Sequence, residues 1–164
     1  VIYDQRVIWD DDGTEKDMSS TVNDFLIGSY EIAFTAADDY IYIASDIPFN
    51  HRFILMDVAN DETSAASVSI WYNNEWVDAV DTFDGTATAG ASLATDGILE
   101  WTTNRLKGWS READSEDVEG VELTGVYDKF WCRINWSGDF KATTAIKYIG
   151  QRFSQDTELF ALYP

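Results

Sequence analysis

Carboxylates dominate the chemistry open to this chain: 30 of its 164 residues are Asp or Glu, against 11 Lys or Arg, one histidine and one cysteine. Glycoside cleavage uses two carboxyl groups facing each other in a cleft, and a carboxyl becomes catalytic through burial or a like-charged neighbour. No spacing selects two from thirty, so they read as a solvated, self-repelling surface. Nucleophilic catalysis needs an imidazole beside a hydroxyl or thiol. His51, the lone histidine, follows Asn50 where a strand-like run opens and reads as a turn or strand-edge residue. Cys132 falls on the apolar face of its segment and reads as a small core residue. Zinc takes three or four His or Cys ligands, more than the chain owns. The run Asp10-Asp11-Asp12-Gly13 suggests a calcium loop, yet with Gly13 in the sixth place Ile8 would be first and Ser19 twelfth, where Asp and Glu are required. A looser cation site on Asp10 and Asp12 stays open beside an Asp-rich turn. Neither a Walker loop nor G-x-G-x-x-G occurs. No catalytic residue, cofactor or metal centre is therefore expected.

A net charge of −19 opposes binding to nucleic acid and to anionic membrane surfaces. No apolar run approaches the roughly 18 residues that cross a bilayer, and no basic-then-apolar leader opens the chain. A single cysteine makes no internal disulfide. Seven Trp, eight Tyr and nine Phe within 45% apolar residues supply a core for one domain.

Between the turn residues lie short runs rich in β-branched and aromatic side chains, which favour pleated, half-buried surfaces. Strands are expected at 29–35, 40–45, 52–58, 67–73, 76–80, 97–102, 129–136 and 143–150. The clearest is Phe130-Trp131-Cys132-Arg133-Ile134-Asn135-Trp136, where Phe130, Cys132, Ile134 and Trp136 share one face. The expected fold is all-β, an antiparallel β-sandwich or jelly-roll-like single domain spanning 26–153. Residues 1–25 read as an N-terminal arm or edge segment packing against a neighbouring subunit. Residues 154–164 read as a short C-terminal helix or tail capped by Ser154 and anchored by Leu159, Phe160 and Leu162. Two long loops are expected at 81–96 and 110–120.

The candidate contact residues are Val7, Ile8, Trp9, Trp71, Trp131, Phe160 and Leu162. Most strand-borne aromatics belong to a core. Alternation nevertheless sends Trp71 and Trp131 to the face opposite their strands' apolar sets, where they would line a ligand groove, a subunit interface or a second layer. Exposed, they would stack on sugar rings, which makes a carbohydrate-binding or receptor-recognition module the alternative function.

From Ser67 to Gly150 the chain resembles β-sandwich domains of tailed-bacteriophage virion proteins. The resemblance rests on Ile70-Trp71-Tyr72-Asn73-Asn74-Glu75-Trp76, Asp84-Gly85-Thr86, Gly97-Ile98-Leu99-Glu100-Trp101 followed by Trp109, Phe130-Trp131-Cys132-Arg133-Ile134, and Ala145-Ile146-Lys147-Tyr148-Ile149-Gly150. Relative to that pattern, the acidic stretch Glu112–Glu119 stands as an insertion. The resemblance implies a non-enzymatic structural protein of a virion assembled in the host cytoplasm: a capsid decoration (cement) protein, or a neck or tail component. The implied partners are major capsid, neck or tail proteins and further copies of the chain in a symmetric homo-oligomer.

Overall fold

A computed structural model describes residues 5–102 and 109–151. They form two antiparallel sheets packed face to face, the all-β sandwich expected from the alternation. The strands are β1 (Arg6–Asp11), β2 (Thr14–Asp17), β3 (Tyr30–Glu31), β4 (Tyr40–Ser45), β5 (His51–Val58), β6 (Ala66–Tyr72), β7 (Glu75–Asp78), β8 (Val80–Asp84), β9 (Gly97–Thr102), β10 (Arg111–Asp114), β11 (Tyr127–Trp136) and β12 (Ala145–Gly150); a short helix, α1 (Ser19–Val22), follows β2. One sheet runs β2-β1-β4-β11-β6-β7, with β10 also on β11, and the other runs β3-β12-β5-β9-β8.

Local chemistry sets the hairpins. Asp12 and Gly13 both take positive φ, closing β1 onto β2 as a two-residue turn, and Asn73-Asn74 close β6 onto β7 in the same way. Such turns match the right-handed twist of the strands they join. The main core lies between the sheets. Val7, Ile41, Ile43, Val68, Ile70, Cys132, Ile134 and Trp136 come from the larger sheet, and Ile54, Leu99, Trp101, Ile146 and Ile149 from the smaller.

The expected N-terminal arm is instead part of this core. β1 pairs in register with β4, Val7 against Ile43 and Trp9 against Ile41, and Val7, Ile8 and Trp9 are all buried. Gln5 ties the segment to the opposite sheet, donating to the Ile149 carbonyl at 2.9 Å and accepting from Arg52 Nε at 2.6 Å. Removing residues 1–25 would therefore strip the body of a strand and part of its core. The β1–β2 hairpin forms an edge of the larger sheet.

Asp39, fully buried, fastens this hairpin. Its carboxylate accepts from Trp9 Nε1 at 3.0 Å, from the Thr35 amide at 2.9 Å and from the Asp12 amide at 3.1 Å. The Asp84-Gly85-Thr86 turn does the same for the expected loop 81–96, whose first residues form β8. Asp84 accepts from the Thr86 amide and the Ser92 hydroxyl, and Ser92 in turn accepts from Trp136 Nε1 at 2.8 Å in the core. Gly85 and Gly97 make this turn possible, because a Cβ on Gly97 would lie 2.3 Å from the Gly85 carbonyl oxygen.

The helix expected at 154–164 lies outside the described residues. The loop expected at 110–120 contains β10 and a single 3-10 turn at Ser115–Asp117.

Two stability outcomes are expected in urea unfolding. Asp39→Ala should cost about 3–5 kcal/mol, since three donors lose a charged acceptor in a buried site, while Asp39→Asn should cost less. Gly97→Ala should cost about 1–3 kcal/mol through backbone overpacking.

Candidate functional site

Trp71 and Trp131 do point away from the main core, as alternation requires, but they are not exposed. Trp71 is 2% and Trp131 0% accessible. A second apolar cluster covers them, in which Val118, Val121, Val126 and Leu123 pack onto Ile8, Tyr42, Ala44, Trp71, Trp76 and Trp131. The supposed acidic insertion is thus a third layer over part of the larger sheet. Its carboxylates Glu116, Asp117, Glu119 and Glu122 face water while its valines face down. Ser115 knits the layer together: its hydroxyl donates to the Leu123 carbonyl at 2.7 Å and its amide to the Val126 carbonyl at 2.9 Å. Trp71 Nε1 donates to Glu112 Oε2 and Trp76 Nε1 to the Glu119 carbonyl, both at 3.0 Å. A stacking platform on Trp71 or Trp131 is therefore absent, and neither these indoles nor Val7, Ile8 and Trp9 offer area to a partner. Phe160 and Leu162 lie outside the described residues.

Other side chains present apolar area to water. Leu26 is 79% exposed and Ile27 64%, with Ile47, Phe83, Tyr127 and Val80 also on the surface. The Leu26–Ile27 pair sits on a built turn. Asp24 accepts from the Leu26 amide through Oδ1 at 2.9 Å and from the Ile27 amide through its carbonyl at 3.1 Å. The preceding Phe25 is anchored edge-on against Tyr148 of β12, ring centroids 5.8 Å apart. Asp24 itself is part of the turn, and just after it the Ser29 hydroxyl donates to Asp57 at 2.9 Å. Sequence reasoning missed this pair. The available signal was a three-residue apolar run, Phe25-Leu26-Ile27, bracketed by the turn formers Asp24 and Gly28.

The reactive residue types are committed to structure. Cys132 is fully buried in β11, and burial pushes its thiol up to about 12, leaving a neutral, inert group. His51 lies in β5 of the other sheet, beside the Asn50 side chain at 3.2 Å. Asp10, left open with Asp12 for a looser cation site, caps its own hairpin by accepting from the Gly13 amide at 2.8 Å. Among the described residues, no group of three or more His, Cys, Asp or Glu could hold a metal ion. Nor is any helix among them long and apolar enough to cross a membrane.

Asp10 faces Glu15 across the β1–β2 ladder. Partial burial raises both carboxyls above their ordinary values, and neighbouring carboxylates, Asp39 and Glu122 beside Asp10 and Asp10 beside Glu15, push the same way. Asp17 is lowered: although burial opposes ionisation, its bonds to Ser19 and Arg6 prevail.

No family model, curated protein or solved structure matches the chain. The fold class is thus set by the two sheets themselves, an all-β antiparallel sandwich with one sheet partly covered by a third layer.

The carboxyl shifts have a definite consequence. An acid whose folded value is raised destabilises the fold when ionised, so that penalty is relieved as pH falls through the raised value. The lowered Asp17 contributes stability above the ordinary carboxylate range of about 4 and loses it only below. The urea midpoint should therefore rise as pH falls from 7 towards about 5 and fall again under more acid conditions. Glu15→Gln should flatten the rise, and an unchanged slope in that variant would count against the assignment.

Proposed function

We propose that the chain is a non-enzymatic structural subunit of a bacteriophage particle, a capsid decoration protein or a neck or tail component, which seats its Leu26–Ile27 turn in an apolar recess of a neighbouring virion protein. The single observation that carries this reading is the turn itself. Two adjacent bulky aliphatics stand in water, 79% and 64% exposed, on a loop that Asp24 and Phe25 hold in shape. Exposed apolar side chains on an ordered loop bind at a low entropic cost, because little must be immobilised on contact.

The rim chooses the occupant. Asp24 lies in the turn and Asp57 holds the adjoining Ser29, and the chain carries a net −19. A second copy would set like charges against like, whereas a different protein with lysines or arginines around an apolar recess is complementary. The resemblance of Ser67 to Gly150 to virion β-sandwich domains supports the same reading. So does the use of nearly all the chain's indoles for its own packing, which leaves small outlying contacts for assembly.

Leu26→Asp combined with Ile27→Asp tests it. Both positions bury little, so the thermal unfolding of the double variant should match the parent within about 0.5 kcal/mol. Its copy number in purified particles, counted by mass spectrometry, should fall to background. Wild-type incorporation of the folded double variant, or absence of the parent chain from particles, would overturn the proposal.

A further inference from the structure

The third layer stops midway across the outer face of the larger sheet, and the character of the sheet changes at its border. Beneath the layer runs an apolar row, Ala44, Trp131, Trp71 and Trp76, with Tyr42 buried at its border; the row of Tyr42 continues in the open through Arg133, Ser69 and Asp78, and the next holds Tyr40, Asn135 and Ser67. Gly120 lets the layer meet the sheet closely at this border, since a Cβ there would lie 2.3 Å from the Tyr42 hydroxyl. Past it opens a cavity of about 180 Å³ lined by Tyr40, Ser67, Ser69, Asp78, Arg133 and Asn135.

Arg133 is the unusual member. Its guanidinium lies 4.5 Å from the Tyr40 ring centroid and 4.8 Å from that of Trp76, wedged between two aromatic walls. In a chain with nearly three carboxylates per cation, none among the described residues forms an ion pair with it. Asp78 lines the same cavity but stays apart, its Oδ1 accepting from the Ser69 hydroxyl at 3.1 Å. Asn135 is held by its own amide, which donates to the Asp39 carbonyl at 3.0 Å and the Ala36 carbonyl at 3.3 Å. A fixed cation and a fixed carboxylate thus face one small polar space without neutralising each other.

We infer that this cavity binds a single neutral sugar ring, with adjacent hydroxyls bridging Arg133 and Asp78. A vicinal diol offers what the gap lacks: oxygen atoms to accept from the guanidinium and O–H groups to donate to the carboxylate. Ser67 and Ser69 add hydroxyls to the lining. A free anion meets Asp78 and the chain's overall negative field, and a cation meets Arg133. The volume is below the roughly 300–1,000 Å³ of sites that enclose drug-sized ligands, so one ring is taken and not a chain. The site lies on the sheet opposite the one against which Phe25 and its turn pack, and the inference does not depend on the assembly reading.

Two-dimensional amide and guanidinium NMR of the whole chain tests it, with the methyl glycosides of glucose, galactose and mannose as probes and glucuronic acid and glucosamine as charged controls. At least one neutral glycoside should produce saturable shifts at Arg133 Nε–H and at the Ser67 and Ser69 amides. Asp78→Asn and Arg133→Lys should each weaken that binding about tenfold, the effect of losing one charge-assisted hydrogen bond. Asp78 is exposed at its sheet edge, so Asp78→Asn keeps the test open if Arg133→Lys disturbs the fold. No saturable shift up to the solubility of every neutral probe, tighter binding of either charged control, or binding indifferent to Asp78→Asn would overturn the inference.

Discussion

The larger sheet carries apolar side chains on both faces, and most of the architecture answers the need to keep both out of water. A sheet with one apolar face is satisfied by one partner layer. Here β1, β4, β6 and β11 turn Val7, Ile43, Ile70 and Cys132 inward while Ile8, Ala44, Trp71 and Trp131 face out. Each indole buries on the order of 200 Å², an upper bound of about 5 kcal/mol at ~25 cal/mol per Å². Leaving two of them in water would erase much of a domain's net stability, about 5–15 kcal/mol. The 115–126 segment removes that cost with four small or medium aliphatics, and it keeps its own acids in solvent.

Covering only part of a sheet creates a border, and the border has its own chemistry. Where valines give way to the open polar rows, Arg133 bridges the two regimes: its flat cation lies against the Tyr40 and Trp76 rings while its N–H groups reach polar space. Burial holds the neighbouring Tyr42 phenol up at about 12, so it stays neutral there. The opposite sheet shows a related economy. Phe25 is spent as an anchor on Tyr148, and Leu26 and Ile27 are held outward beside it.

Much of the scaffold was legible along the chain. The alternation in 130–136 and 67–72 identified the inward faces of β11 and β6, and the bounds 40–45 and 97–102 coincide with β4 and β9. Turn chemistry was legible too: the acidic run at Asp10–Gly13 fails the calcium-loop spacing and reads as an Asp-rich turn, and in the hairpin its Asp12-Gly13 pair supplies the positive φ angles. The errors share a cause. Short strands with mixed character, β2, β8 and β10, have too few residues for a period to emerge, and pairing with β1, β9 and β11 makes them strands, while β1 takes its place only by pairing with β4. The alternating Val-Glu-Gly-Val-Glu-Leu of 118–123 reads as a charged loop until two tryptophans need a lid.

By itself, the sequence determined the class of fold, the inward faces of the long central strands and the inertness of Cys132, because side-chain period and composition act locally. Only the tertiary structure decided that Val7, Ile8, Trp9, Trp71 and Trp131 are consumed in packing, that Leu26 and Ile27 are presented, and that Arg133 and Asp78 line one cavity. Those outcomes depend on which segments meet over separations of tens of residues, such as β1 on β4 or the 115–126 layer on β6. Burial is a property of the two surfaces that come together, and neither surface carries the other's address.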